Sequence, residues 1–407
     1  MEVLTQFWTE KYLEEYIKEG GSKIKFVTGR SGSGKTHLLR EVACQARERG
    51  YKVAAFSARE VWLHDFKEIY LEILSQCDLM EALKRCAGKI AERMGYDSAE
   101  IPEGMSFMDY LSFQDLGDAI TRREIRLQLK EMFLDNPLLD NNFALACSLL
   151  TGGILGHPLL ESQNQELLLA WLHGDKTVKL SLLRSLGLSP SRITRYNARH
   201  MLRSLVEVLC QGGYTGLVVL VDDVETLLGR SSESQLRYTK MRREDTYESI
   251  RQLIDEIDSL RNIFFVFGFD RGLFDDERAG IKSYQALWMR IQNEIISPRF
   301  NCFTDVVDMD RMAGQFCTPQ TLVSMSKSMM TAREGLQAGF GAEAIRPRTP
   351  GILTTEEAEK ILENAGLGGL GIPGQVAEAT LGQVPRENLS QEKTSAAQNQ
   401  MGGEGRV

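Results

Sequence analysis

The chain has 407 residues, with 48 Lys and Arg against 56 Asp and Glu, a net charge of −8. Hydrophobic residues make up 43% and charged residues 26%, a balance that excludes a wholly disordered, collagen-like or multispan membrane chain. The acidic excess also excludes a surface that coats nucleic acid along its whole extent, so any such contact must come from a local basic patch.

The first residues, MEVLTQFWTEKYLEEY, carry acids early and lack a basic segment followed by an apolar core, so they are not a secretory signal. Residues 5–19 predict a helix, with Phe7, Trp8, Tyr12, Leu13 and Tyr16 at helical spacing, ended by Gly20-Gly21-Ser22. KIKFVTG (23–29) predicts a strand, followed by a Gly-rich turn and a helix over 36–49. YKVAAFSA (51–58) predicts a second strand, and helices are expected over 62–76, 78–94 and 107–133. Residues 100–210 are almost free of strand patterns and read as a helical insertion between two strands of one sheet. Within them, Asn141–Leu160 has no charge, but Gly152-Gly153, His157 and Pro158 interrupt it. A buried helix, a turn and a second helix explain it better than a membrane span. GLVVLVDD (216–223) is an apolar run ending in acids, as a buried parallel strand should be. A helix over 240–260, a buried strand NIFFVFGF (262–269) and a weaker strand DVVDMD (305–310) follow. Strands alternating with helices predict an α/β fold with a parallel sheet.

Seven cysteines (Cys44, Cys77, Cys86, Cys147, Cys210, Cys302 and Cys317) are scattered, without a C-x-x-C pair. They read as reduced cytoplasmic thiols rather than a disulfide framework or zinc ribbon. The five histidines show no H-E-x-x-H spacing, and there is no internal repeat.

Gly29-Arg30-Ser31-Gly32-Ser33-Gly34-Lys35-Thr36 fits G-x-x-x-x-G-K-[ST] at every fixed position, between a predicted strand and a predicted helix. The glycines let the backbone turn its N–H groups towards phosphate oxygens. Lys35 can reach the β- and γ-phosphates of ATP, the Thr36 hydroxyl can bind Mg²⁺, and the following helix directs its positive end at the same anion. Asp222, at the end of the apolar strand, is placed beside this loop as a second Mg²⁺ partner. Asp223 stands where many ATPases keep a Glu that positions the attacking water. Asp is one methylene shorter, and Glu225 is a rival for that role. Asp270 and Arg271, beyond the end of the third buried strand, lie where a γ-phosphate could be sensed. Arg290 is a candidate arginine finger for a neighbouring subunit, or else a solvated helix arginine. Gly366-Leu367-Gly368-Gly369-Leu370-Gly371 matches G-x-G-x-x-G but follows a helix, so a dinucleotide site is rejected.

The blocks GGSKIKFVTGRSGSGKTHLLREV, GYTGLVVLVDDVETLL, YESIRQLIDEI and NIFFVFGFDRGLF resemble the ATP-binding proteins of bacteriophage-exclusion (BREX) defence systems. The resemblance is strongest to the smaller ATPase of the type 2 systems, often encoded near a large helicase, and extends from about residue 5 to 310. It implies a P-loop ATPase of the AAA-like branch, with an extra strand between the P-loop strand and the Mg²⁺ strand. It carries Lys35 and Thr36 over as phosphate and Mg²⁺ contacts and Asp222 as the Mg²⁺ partner. Many relatives read Asp-Glu where this chain has Asp222-Asp223, which bears on hydrolysis more than on binding. The expected organisation is an ATPase domain in two parts, 1–99 and 211–312, split by the helical insertion 100–210. A helical lid-like segment over 313–366 and a mostly disordered tail over 367–407 complete it.

From Lys176 to Val206 there is no Asp or Glu, whereas Lys176, Lys179, Arg184, Arg192, Arg195, Arg199 and Arg203 all fall there. The strip could touch DNA phosphates, or it could be a solvated face that pairs with acids elsewhere. LLRSLGLSPSRITRYNARHMLRSL within it could be two helices joined at Gly187–Pro190, like a helix-turn-helix. TRREIRLQLK (121–130) and RYTKMRR (237–243) could extend the patch or serve as subunit contacts. The functional expectation is a Mg²⁺-dependent ATPase that drives or gates a DNA-linked anti-phage complex, a cytoplasmic homo-oligomer working with a helicase or another defence protein. The alternatives are an ATP-binding switch or scaffold with negligible turnover, and an AAA-type DNA loader.

Overall fold

A computed structural model describes residues 2–102, 104–229, 236–292 and 301–316, with only the backbone of 313–316. Residues up to Met309 form one compact unit, and a second unit begins at Asp310. The expected lid-like segment (apart from its first four residues), the G-x-G-x-x-G run and the expected disordered tail lie outside the described residues.

Five parallel strands form one sheet: β1 (Ser22–Gly29), β2 (Lys52–Ser57), β3 (Leu217–Asp222), β4 (Ile263–Asp270) and β5 (Val306–Asp308), in the order β2-β3-β4-β1-β5. β4 therefore lies between the P-loop strand and the acid-ended strand, as the resemblance implies. Gly29 pairs in register with Asp270 and Ser57 with Asp222, so the chemically interesting strand ends share one edge. Helix α1 (Glu2–Trp8) runs on as a π-helix over Thr9–Tyr16, and α2 (Lys35–Glu48) follows the P-loop. Trp8 meets Phe264 edge-to-face at 5.6 Å on one face of the sheet. Phe265, Phe267 and Phe269 alternate to the opposite face and join the core built by the helices between β2 and β3. Each fully buried Phe contributes about 1.5–3 kcal/mol, so β4 anchors both layers.

Those helices are α3 (Phe66–Cys77), α4 (Leu79–Arg93), α5 (Phe107–Phe113), α6 (Ala119–Leu129, prolonged by a π-turn over Lys130–Leu134) and α7 (Asn141–Leu155). They continue with α8 (Ser162–Leu172), α9 (Leu180–Ser185) and α10 (Ala198–Gln211). The helix expected over 107–133 is broken because Asp115 adopts a left-handed φ of 59° and the Asp118 side chain caps α6 at Thr121 N, 2.8 Å. The helix expected from 62 starts at Phe66, since Asp65 caps it and Leu63 N–H bonds the Tyr238 hydroxyl at 3.1 Å. Asn141–Leu160 is a buried helix and turn leading to α8, its start capped by Asp140. The helix-turn-helix expected around Gly187–Pro190 is not formed: residues 186–197 separate α9 from α10, far more than a 3–4-residue turn. Ser189 N–H to Asn142 and Trp171 Nε1–H to Ser191 O pin that connection instead. No helix among the described residues is long and apolar enough to cross a membrane.

After β3 come a 3₁₀ turn over Val224–Leu228, α11 (Lys240–Glu256), β4, α12 (Arg271–Asp275), α13 (Gln285–Ile291), β5 and α14 (Met309–Phe316).

Candidate nucleotide site

The turn from β1 to α2 is shaped by its glycines. Gly32 and Gly34 have φ of 81° and 94°, a region only glycine enters without strain. A Cβ on Gly29 would lie 2.5 Å from Ser33 Oγ, so the loop can fold over itself only with glycine there. Ser33 Oγ is buried without a hydrogen-bond partner, a polar atom that a phosphate oxygen would satisfy. Lys35 is almost buried and donates to Gly29 O and Arg30 O, each at 3.0 Å, and to the Asp270 carboxylate. Gly29 to Thr36 thus form a concave loop at the N-terminus of α2, where backbone N–H groups favour an anion.

The end of β3 brings the first acid to this loop. Thr36 Oγ1–H donates to Asp222 Oδ2 at 2.7 Å, and Asp222 Oδ1 accepts from Asp223 N at 2.9 Å. Asp222 fits beside β4 because residue 268 is glycine: a Cβ there would lie 2.9 Å from Asp222 Oδ1. Sequence reasoning missed Gly268, although a lone glycine inside an apolar strand is a signal of close approach. One hydroxyl and one carboxylate are the donor set that suits Mg²⁺, which keeps most of its shell as water and substrate phosphate. Among the described residues, no group of three or more His, Cys, Asp or Glu is placed to hold a metal by itself.

Asp223 adopts a left-handed φ of 59° and turns towards the end of β2. Its Oδ2 accepts from Ser57 Oγ at 2.7 Å, and its Oδ1 pairs with Arg59 Nη2 at 3.0 Å. Ser57 and Arg59 were not singled out from the sequence, since contact across strands from β2 to β3 has no local signature. Glu225 Oε2 accepts from Asp270 N–H at 3.1 Å. Burial above all, together with the neighbouring Asp270 and Asp223 charges, raises the Glu225 carboxyl above its usual pKa. A cleft of about 440 Å³ opens beside Thr36, lined by Arg40, Ser57, Glu60, Asp222 and Asp223 among others.

The structure thus brings Gly29 to Thr36, Asp222, Asp223, Glu225 and Asp270 to one edge of the sheet. Arg271 bonds Asp275 at 3.0 Å and Asp308 at 3.1 Å. Arg290 forms a bidentate pair with Asp255 on α11 and donates to Ala286 O, so it is engaged within its own chain.

The basic strip divides into two sets. Lys176, Lys179, Arg184, Arg192 and Arg195 are exposed. Arg192 donates to Lys176 O at 2.8 Å and Arg195 lies over the exposed ring of Tyr196. Arg199 instead bonds Gln252, lies 3.6 Å from Glu256 and stacks on Phe66, while Arg203 donates to Leu138 O. Those two side chains hold α10 in place.

A parallel five-stranded sheet, with a strand between the P-loop strand and the acid-ended strand, defines a P-loop NTPase-type α/β protein. The family model described as "BREX system ATP-binding protein BrxC/D" matches residues 10–309. The chain belongs to that family, the ATP-binding proteins of BREX defence systems. Comparison with curated proteins and with solved structures gives no match.

Proposed function

We propose that the chain is a Mg²⁺-dependent ATPase that drives or gates a DNA-linked anti-phage defence complex. The observation that carries this reading is the 2.7 Å bond between Thr36 and Asp222 beside a buried P-loop lysine. Thr36 and Asp222 would hold Mg²⁺, which supplies charge neutralisation to the β- and γ-phosphates. The chain's own residues do the rest. Lys35 binds phosphate, the P-loop N–H groups orient it, and Asp223 or Glu225 accepts the hydrogen bond of the attacking water. The family supports partners within the same defence system; a helicase, further copies of this chain and the smaller type 2 ATPase assignment are parts of the proposal. The exposed Lys176, Lys179, Arg184, Arg192 and Arg195 are its DNA contacts.

One observation favours a second reading, an ATP-binding switch with negligible turnover: both Asp223 oxygens are taken, by Ser57 and Arg59. ATP binding and phosphate release in the wild type and Lys35→Ala test the two. The ATPase reading expects turnover that the variant loses along with binding; unchanged turnover in the variant would overturn it. Tight binding with no turnover in the wild type would select the switch.

A further inference from the structure

We propose that Asp270 makes triphosphate binding depend on a divalent cation, by holding Lys35 in an internal ion pair that a metal-bound triphosphate displaces and a metal-free one does not. The proposal rests on the ATP-site reading and goes beyond it, because it assigns a specificity role to a residue outside the P-loop and the acid-ended strand.

An ammonium group has three donors. Those of Lys35 are committed to Gly29 O, Arg30 O and the Asp270 carboxylate. Phosphate can therefore reach Lys35 only by taking the place of one acceptor. The two carbonyls belong to the P-loop backbone that shapes the site, which leaves the carboxylate as the partner exchanged. Once displaced, Asp270 cannot move far. It stands in register with Gly29 at the end of β4, and its N–H is tied to Glu225. Only its side chain rotates, so its negative charge stays beside the phosphates.

The charges of the site make this costly for a bare triphosphate. Lys35 is paired with Asp270, the adjoining Thr36 bonds a second carboxylate, Asp222, and Asp223 is paired with Arg59. A metal-free triphosphate adds several more negative charges to that surplus. A nucleotide arriving with its metal brings much of the neutralisation with it and satisfies Asp222 at the same time. Like charges a few ångströms apart in a half-buried site repel enough to shift binding on the order of tenfold to a hundredfold. A diphosphate, which lacks the terminal phosphate, should feel Asp270 less.

The test is equilibrium binding of ATP and ADP to the full chain, in Mg²⁺ and in EDTA, for wild type, Asp270→Asn and Asp270→Ser. Both variants should bind metal-free ATP about tenfold tighter or more, a larger gain than Mg²⁺–ATP shows, with metal-free ADP moved less than ATP. A ratio of Mg²⁺ to EDTA affinity left at the wild-type value, or weaker metal-free ATP binding in both variants, would overturn the proposal while leaving the ATP site standing. Lys35→Ala separates the two levels: ATP binding unchanged in that variant overturns the site itself and this proposal with it.

Discussion

The carboxylate of Asp222 occupies the space that a side chain at Gly268 would fill. A Cβ at 268 would sit 2.9 Å from Asp222 Oδ1 and 3.1 Å from Leu39 Cδ1, within a strand otherwise built of Ile, Val and Phe up to its last residue, Asp270. Gly268→Ala should therefore displace the Asp222 carboxylate and disturb its bond to Thr36, at an overpacking cost of about 1–3 kcal/mol. The expected result is a lower unfolding midpoint together with a weakened Mg²⁺ dependence of ATP binding. Wild-type Mg²⁺ dependence in a folded variant would mean that Asp222 does not need this space.

The Asp223 contacts predict how two acids divide their work. Asp223→Asn should lower turnover about a hundredfold or more if Asp223 orients the water. Glu225→Gln keeps an acceptor for Asp270 N–H and should lose less. Arg59→Ala frees one Asp223 oxygen and should raise basal phosphate release severalfold under the ATPase reading, and leave it near zero under the switch reading. Should Glu225→Gln lose the hundredfold and Asp223→Asn keep activity, the roles are reversed.

Much of this arrangement was legible in the chain, and the parts that were not share one physical cause. The P-loop could be read because its whole chemistry lies within eight consecutive residues, and β3 because an apolar run ends in acids. The pairing of Asp223 with Ser57 and Arg59 joins positions over 160 residues apart, and it depends on strand register that no local pattern encodes. The helix-turn-helix expectation failed for a related reason. Its spacing was right for two helices, but Asn142 on α7 and Trp171 on α8 hold the connection open. Arg199 and Arg203 were indistinguishable in sequence from their exposed neighbours until stacking on Phe66 and a hydrogen bond to Leu138 O set them apart.

Lys25 predicts a pH dependence of stability. It is fully buried on β1, donates to Phe303 O and Thr304 O at 2.7 Å each, and lies 3.5 Å from Asp305 and 4.9 Å from the Tyr12 ring centroid. Burial lowers its pKa to about 8 from 10.5, against the opposing pull of Asp305 and with a smaller push from Lys23. Between these values the unfolded chain holds a proton that the folded chain has shed, so this group makes stability rise with pH, and that gain is lost as pH falls through about 8. Denaturant unfolding from pH 8 to 10 should show wild type gaining on Lys25→Met by at most about 1.4 kcal/mol per pH unit. A constant difference between the two proteins across that range would contradict the assignment.

Arg290 can be judged by the same logic of prior commitments. Its guanidinium is bound to Asp255, whose carboxyl it holds below the usual range. Arg290→Ala should change ATP turnover little in the full-length protein, because exposed ion pairs of this kind contribute little. A loss of turnover of a hundredfold or more, with an unchanged unfolding midpoint, would instead mean that the arginine leaves Asp255 to act across a subunit boundary.

The basic strip yields a prediction in which two sets of arginines must behave differently. If Lys176, Lys179, Arg184, Arg192 and Arg195 meet DNA phosphates, each lost contact should weaken binding without changing sequence preference, and salt should act the same way. With about four of them on the backbone, the slope of log affinity against log salt would be roughly −3 to −4, from about −0.9 per contact. Replacing Lys176, Lys179, Arg192 and Arg195 by Gln should flatten that slope and leave ATP binding intact. Arg199→Gln and Arg203→Gln should leave the slope alone and lower the unfolding midpoint, since their partners are Gln252, Glu256, Phe66 and Leu138 rather than solvent. Parental affinity and slope in the fourfold variant would return the exposed set to the role of a solvated face.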